Sequence, residues 1–309
     1  MKKKILKIFF KIVISLFFVY WVVVKTDWPE FLFYLKKIEI WQIGLYLIFL
    51  VLGMVICSYR WKILAEFKGI KLPLWEYFKL YLTGTFINNF MPSFVAGDAY
   101  KAYQIAGAEK RYAEATSSVL MDRITGLLGA MILALIFSLI NIKTVIGNKW
   151  LLLANAGIVL SFFVDLIIAK LREISWLKNF VFKIMPQKIT IFLQELYSYN
   201  NKTGVISRAV FISILFSLIG IALLNYILFQ GLGVEIGIFD YLSVIFIISI
   251  VSALPITMNN IGLKEWAYIT FFGFFGISSG AAVAASIISR FLQMLVSFLA
   301  LPIYIKSKK

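Results

Sequence analysis

The chain has 309 residues, 61% of them hydrophobic and 17% aromatic, with a mean hydropathy of +0.91. That leaves too little polar surface to cover a water-soluble globule, so lipid is the solvent for most side chains. The formal charge of +16 falls in short segments between apolar runs and forms no single basic stripe, which excludes nucleic acid as a partner and makes the charge a report on topology.

Histidine is absent, which removes His-based triads, imidazole zinc sites and imidazole proton relays. The one cysteine, Cys57, lies inside an apolar run, so an intramolecular disulfide is excluded and thiol chemistry is not expected. No metal site, cofactor or catalytic residue is expected. Backbone cannot face lipid unpaired, and no alternating strand pattern is present, so the fold class is all-α: a polytopic helical membrane protein of six to eight transmembrane helices. Residues 1–309 read as a single integral membrane domain.

In chain order, the first predicted span covers residues 5–24. Lys2, Lys3, Lys4, Lys7 and Lys11 precede or begin it and place the N-terminus in the cytoplasm. A signal peptide is the rival reading, but residues 22–26 lack a small-residue cleavage site. After an external loop with Asp27, Pro29 and Glu30, a second span covers 41–59, with Arg60, Lys62, Lys68 and Lys71 marking its cytoplasmic exit. Residues 77–98 begin apolar but are interrupted by Asn88, Asn89, Pro92 and Gly97 and end on Asp98. A third span, 116–140, opens near the charged pair Asp122 and Arg123, and a fourth covers 150–169. Residues 170–207 carry Lys170, Arg172, Lys178, Lys183 and Lys188 among interleaved apolar residues and read as a cytoplasmic amphipathic loop. A fifth span covers 208–230. Residues 241–276 are a second broken segment, interrupted from Pro255 to Glu265, and a final span, 281–305, leads to Lys306, Lys308 and Lys309. Both termini are thus expected in the cytoplasm of a cell (inner or plasma) membrane, with six crossings plus two re-entrant segments, or eight crossings.

The two interruptions look related. Asn88, Asn89, Pro92, Gly97, Asp98 and Lys101 stand in one, and Pro255, Asn259, Asn260, Gly262, Lys264 and Glu265 in the other. Each puts Pro, Asn and Gly into apolar sequence, then an acid with a Lys close by. Broken segments at corresponding places in two halves point to a transporter site near the membrane midplane, and their opposite topology would make them an inverted pair. A half-helix N-terminus offers unpaired N–H groups and partial positive charge to a phosphate. Lys101, Arg123, Lys264 and Arg290 are the candidate cations, with Asp98, Asp122 and Glu265 holding them. An ionisable residue at membrane depth costs roughly 2.5–3.5 kcal/mol even on a lenient scale, so these residues need partners or a wet cavity. Taken singly they have plainer readings: charges snorkelling at helix ends, and prolines as kinks. Coincidence of break, charge and Asn in two places favours a site.

Residues 82–103 with Asn88-Asn89, Pro92 and Gly97-Asp98, then Ser117 to Arg123 and Gly126, then Leu254-Pro255, Gly262, Lys264-Glu265 and Gly276-Ile277, resemble in their order the flippase-like family typified by the membrane region of lysylphosphatidylglycerol synthases. The resemblance covers residues 9–304. Lys101 and Lys264 stand where that family usually has Arg, and Asn260 where it often has Gly. Lys keeps the charge without the bidentate fork, and Asn tolerates left-handed backbone. Full-length synthases of that kind also carry a soluble acyltransferase domain, which these residues do not resemble.

The expected function is flippase-like transport of an anionic phospholipid, aminoacyl-phospholipid or lipid-linked precursor, with a membrane lipid of anionic headgroup as partner. No nucleotide-binding loop is present, so an ion gradient, the membrane potential or the lipid gradient would drive it. The alternatives are a membrane-embedded lipid transferase of the phosphatidylglycerol lysyltransferase type, and a non-transporting subunit of a cell-envelope pathway. A separate lipid-modifying enzyme or glycosyltransferase, and a homo-oligomer, remain open as partners.

Overall fold

The computed structural model describes residues 2–91, 95–107, 110–173, 187–201 and 203–306. Among them every regular element is helical, because in lipid each backbone N–H and C=O must be satisfied within the chain. In order these are α1 (Lys2–Lys25), α2 (Trp28–Leu35), α3 (Ile40–Phe67), α4 (Leu74–Phe90), α5 (Ala96–Ala106), α6 (Tyr112–Ile140), α7 (Ile142–Gly147), α8 (Lys149–Glu173) and α9 (Gln187–Tyr197). They continue with α10 (Thr203–Gly231), α11 (Ile238–Ala253), α12 (Leu263–Gly273) and α13 (Ser279–Ile305). The chain is a polytopic helical membrane protein: α3, α6, α10 and α13 are each long and apolar enough to cross a bilayer, and α8 (as Lys149–Phe163) and α11 are shorter apolar helices.

α4 and α5 form one hairpin, α11 and α12 another. Arg111, after α5, donates to the carbonyls of Lys68 and, at 3.3 Å, Gly69, before α4, so the first hairpin begins and ends at the same end of the bundle. The second hairpin starts at the opposite end. Asn141, closing α6, donates to Asp240 in α11 at 2.6 Å, and Gly280, opening α13, lies against Glu30 of α2.

The two halves repeat. Asp98 and Glu265 are 167 residues apart in number, as are Arg123 and Arg290, the starts of α5 and α12, and the starts of α6 and α13. α5 and α12 each have 11 residues. The unit α3–α4–α5–α6 therefore corresponds to α10–α11–α12–α13. α3 and α10 run antiparallel: Gln42 lies against Gly231, Gly53 against Gly220, and Arg60 reaches Ser213. Gly53 and Gly220 are themselves related by the same offset of 167, so the pseudo-two-fold axis passes where they touch. That axis crosses the helices, which makes the repeat inverted. A Cβ on Gly53 would stand 3.3 Å from the Gly220 Cα, and α10 is locally a π-helix over Ser217–Leu223, so the close crossing coincides with an irregular turn.

Packing follows from this arrangement. α11 sits inside the bundle against α6, and its run Val244, Ile245, Phe246, Ile247 and Ile248 is buried on every face. The lipid-facing side is apolar too, with Phe17, Leu139, Leu160, Phe211 and Leu299 all exposed. The predicted second span ended at residue 59, whereas α3 continues to Phe67, because Trp61, Leu64 and Ala65 extend its buried face past Arg60. Of the loop read over residues 170–207, residues 174–186 lie outside the described residues; α9 lies inside it.

Close backbone approach sets one test. A Cβ on Gly129 of α6 would fall 2.6 Å from the Ser213 Cβ and 2.8 Å from its backbone carbonyl carbon in α10. Gly129→Leu is expected to destabilise by roughly 1–3 kcal/mol, whereas Gly157→Leu, which meets open space, should be near neutral; thermal unfolding in detergent reads both.

Candidate functional site at the two hairpin tips

At the first tip the helix breaks between Phe90 and Ala96. Asn88 Oδ1 accepts from the Gly97 N–H at 2.7 Å and so satisfies a donor that the start of α5 leaves open. Gly97 is required here: a Cβ would collide with the Gly84 carbonyl of α4. Asn89 Nδ2 donates to Ser297 Oγ of α13 at 2.8 Å, which fixes this tip to the other half. Pro92 lies outside the described residues.

Asp98, the third residue of α5, is buried and receives two cations. Lys101 Nζ lies 3.0 Å from Oδ1, and Arg123 Nε of α6 donates to Oδ2. The Lys101 ammonium also sits 4.4 Å from the Tyr81 ring centroid and 5.1 Å from that of Trp61. Asp122, adjacent in sequence to Arg123, points elsewhere. It pairs with Arg60 of α3 at 2.7 Å, in full burial, and Arg60 Nη1 donates to Ser213 Oγ at 3.0 Å. Gly126 leaves the room that the Arg60 guanidinium occupies.

At the second tip α11 ends at Ala253, and residues Leu254 to Gly262 form the break, with Pro255 exposed in it. Asn259 (φ 47°), Asn260 (φ 56°) and Gly262 (φ 81°) are left-handed, the conformation that Asn and Gly accept most readily. Glu265, the third residue of α12, accepts from the Gly262 N–H at 2.8 Å, from Ser286 Oγ at 3.3 Å, and from Arg290 Nε and Nη2 at 3.1 and 2.9 Å. Arg290 also donates to the carbonyls of Asn259 and Asn260, both at 3.0 Å. α1 covers this break. Ser15 Oγ accepts from the Met258 N–H at 2.8 Å, and the Phe18 ring packs edge-on against Trp266.

The correspondence between halves extends to the chemistry. In each, the third residue of the half-helix is a carboxylate that holds an arginine 25 residues later, in the next long helix. In each, the residue before that arginine turns to α3: Asp122 to Arg60, and Ser289 to Tyr46, whose hydroxyl donates to Ser289 Oγ at 3.1 Å. Arg123 and Arg290 both lie eleven residues into their helices, about 16 Å along the axis.

Sequence-predicted residues thus assemble into two clusters rather than one, joined through α13, on which Arg290 and Ser297 are two turns apart. Lys264 donates to Ser289 Oγ at 2.8 Å and has no carboxylate in ion-pair range among the described residues. Residues missed in the sequence are Arg60, Tyr46, Ser213, Ser286, Ser289 and Gln293. In the sequence Arg60 marks the end of a span, although the apolar run resumes beyond it. Ser286, Ser289, Arg290, Gln293 and Ser297 recur at helical spacing as one polar stripe on α13, a signal that was legible.

A family model described as the lysylphosphatidylglycerol synthase TM region matches residues 8–300 of the chain. The chain belongs to that family. A relative, the UPF0104 membrane protein of Methanocaldococcus jannaschii, is 25% identical over 316 residues, covering 96% of this chain and 93% of its own. No solved structure matches the chain. The match spans both hairpins and every charged residue of the two clusters.

The Arg60–Asp122 pair yields a direct test. Removing one partner of a buried ion pair strands the other charge and costs about 3–5 kcal/mol, while replacing both by apolar residues of similar size is often near neutral. Asp122→Leu should therefore lower thermal stability in detergent strongly, and Arg60→Met with Asp122→Leu should recover most of the loss.

Proposed function

We propose that this protein moves a lipid with an anionic headgroup, a phospholipid, aminoacyl-phospholipid or lipid-linked precursor, between the leaflets of a cell membrane. The observation that carries the reading is the inverted pair of hairpins, each bringing a carboxylate to an arginine eleven residues into a spanning helix. Charges at that depth are costly unless they serve a polar path, and irregular backbone at that depth is tolerated only inside protein or beside a cavity. In this reading the hairpins are re-entrant from opposite faces, and α1, α3, α6, α8, α10 and α13 are the six crossings.

Charge distribution supports an orientation with both termini in the cytoplasm. Lys62, Lys68, Lys71, Lys110 and Arg111 gather near the end where α3 finishes and the first hairpin starts. Asp27, Glu30, Glu39, Glu235 and Asp240 lie toward the other end, beside Lys36 and Lys37. A transferase of the type in the family's name would use the same carboxylates. Asp98, Asp122 and Glu265 are each engaged by an arginine, which favours binding and movement of a headgroup over chemistry on it.

The expected outcome is measurable in vesicles carrying fluorescent phosphatidylglycerol in both leaflets, with a reductant that quenches only the outer one. The protein should accelerate loss of the protected signal, and Asp98→Asn or Arg123→Gln should slow it at least tenfold. Wild-type vesicles indistinguishable from empty ones, for phosphatidylglycerol and for other anionic lipids, would refute lipid transport.

A further inference from the structure

The two charged clusters are not alike in what they leave available. Arg290 spends its donors on the second break itself: Nε and Nη2 on Glu265, Nη1 on the Asn259 carbonyl, and Nη2 again on the Asn260 carbonyl. Those two carbonyls belong to left-handed residues in a single 3-10 turn, Met258–Asn260, whose backbone bond runs from the Ile261 N–H to the Met258 carbonyl and leaves both of them to Arg290. Taking Arg290 away to meet a ligand would orphan them at a depth where water does not replace the bond. Arg290 and Glu265 are therefore the clamp that keeps the break in shape.

Lys264 is differently placed. It is the second residue of α12, one position before Glu265, and its side chain turns to α13 instead of to a carboxylate. The ammonium has three N–H donors, and Ser289 Oγ is its one hydrogen-bond acceptor among the described residues. Every cation of the first cluster touches a carboxylate: Arg60 touches Asp122, and Lys101 and Arg123 share Asp98. In the second cluster two cations face one carboxylate. Ser289 is the repeat equivalent of Asp122, so a hydroxyl stands where the first half has a counter-charge.

Around Lys264 the polar groups converge. Tyr46 OH of α3 and Gln293 Nε2 of α13 reach the same Ser289 Oγ at 3.1 and 3.2 Å, and Gln293 Nε2 lies 3.4 Å from Tyr46 OH. Tyr46 and Ser289 have no exposed surface. The Thr257 hydroxyl, in the same break, is buried with no partner among the described residues. A point charge on a flexible stem, sharing the Ser289 hydroxyl with one further hydroxyl and one amide donor, suits a tetrahedral anion with several acceptor oxygens.

We infer that Lys264, with Tyr46, Ser289 and Gln293, forms an anion site for the phosphodiester of a lipid headgroup, and that Glu265 and Arg290 shape the break without touching the ligand. The inference rests on the lipid-transport reading above and assigns its headgroup contact to the second hairpin. The bound anion supplies the charge that Ser289 does not, for an ammonium that meets the Ser289 hydroxyl and, 5.7 Å from the ring centroid, Tyr268.

The test is retention of ligand by the purified full chain in detergent, read by native mass spectrometry with dioctanoyl phosphatidylglycerol, dioctanoyl phosphatidylcholine and inorganic phosphate as probes. Wild type should retain the phosphatidylglycerol in preference to the other two. Lys264→Met should weaken retention at least tenfold without lowering the thermal midpoint, Lys264→Arg should restore it, and Ser289→Ala should weaken it several-fold. Glu265→Gln should lower the thermal midpoint. Equal retention by wild type and Lys264→Met, with loss in Arg123→Gln, would move the headgroup to the first hairpin and overturn this assignment while leaving lipid transport intact. Retention of phosphate or of phosphatidylcholine as strong as that of phosphatidylglycerol would overturn the lipid phosphodiester as ligand, and no retention by wild type would overturn the site altogether.

Discussion

A helix that stops inside a bundle leaves backbone donors and acceptors that need partners, and the polar groups at both breaks supply them. Asn88 accepts from the N–H of Gly97 at the first break. At the second, Arg290 donates to two carbonyls and to Glu265, while Glu265 accepts from the N–H of Gly262. A buried arginine needs a carboxylate, and here that carboxylate stands in the first turn of the half-helix. The breaks and the charges are thus one construction.

The inverted repeat explains why the construction occurs twice. Because α3 and α10 cross at Gly53 and Gly220, which are equivalents of each other, the two units meet on their own symmetry axis. Two hairpins of the same design then enter from opposite ends and both lie against α13, through Asn89–Ser297 on one side and Glu265–Arg290 on the other. Such an arrangement gives two related halves that meet at the Gly53–Gly220 crossing. The π-helical turn of α10 falls at that crossing, where a regular helix is already relaxed.

Departures from the symmetry distinguish the two clusters. The first cluster pairs each cation with a carboxylate and buries the Arg60–Asp122 contact completely. In the second, Ser289 occupies the position of Asp122, Lys264 that of Gly97, and the result is a positive centre surrounded by hydroxyl and amide groups.

Composition and the spacing of charge were enough to determine that this chain lives in lipid, that it is helical, and that its helices fail at two places marked by Asn, Pro, Gly and an acid. Those properties are local: about twenty apolar residues in a row, or an Asn beside a Pro, have the same meaning in any fold. The sequence also held the offset of 167 that relates Asp98 to Glu265 and Arg123 to Arg290, but in a repeat with so few identical residues the offset is visible only once the helices align. Tertiary structure alone decided the partners. Asp122 and Arg123 are neighbours in sequence and diverge around the helix, about 100° per residue, so one reaches α3 and the other α5. Arg60 looked like a loop residue because its counter-charge lies 62 positions away. Which cation meets a carboxylate and which meets a hydroxyl depends on distances between helices, and no periodicity along the chain encodes those distances.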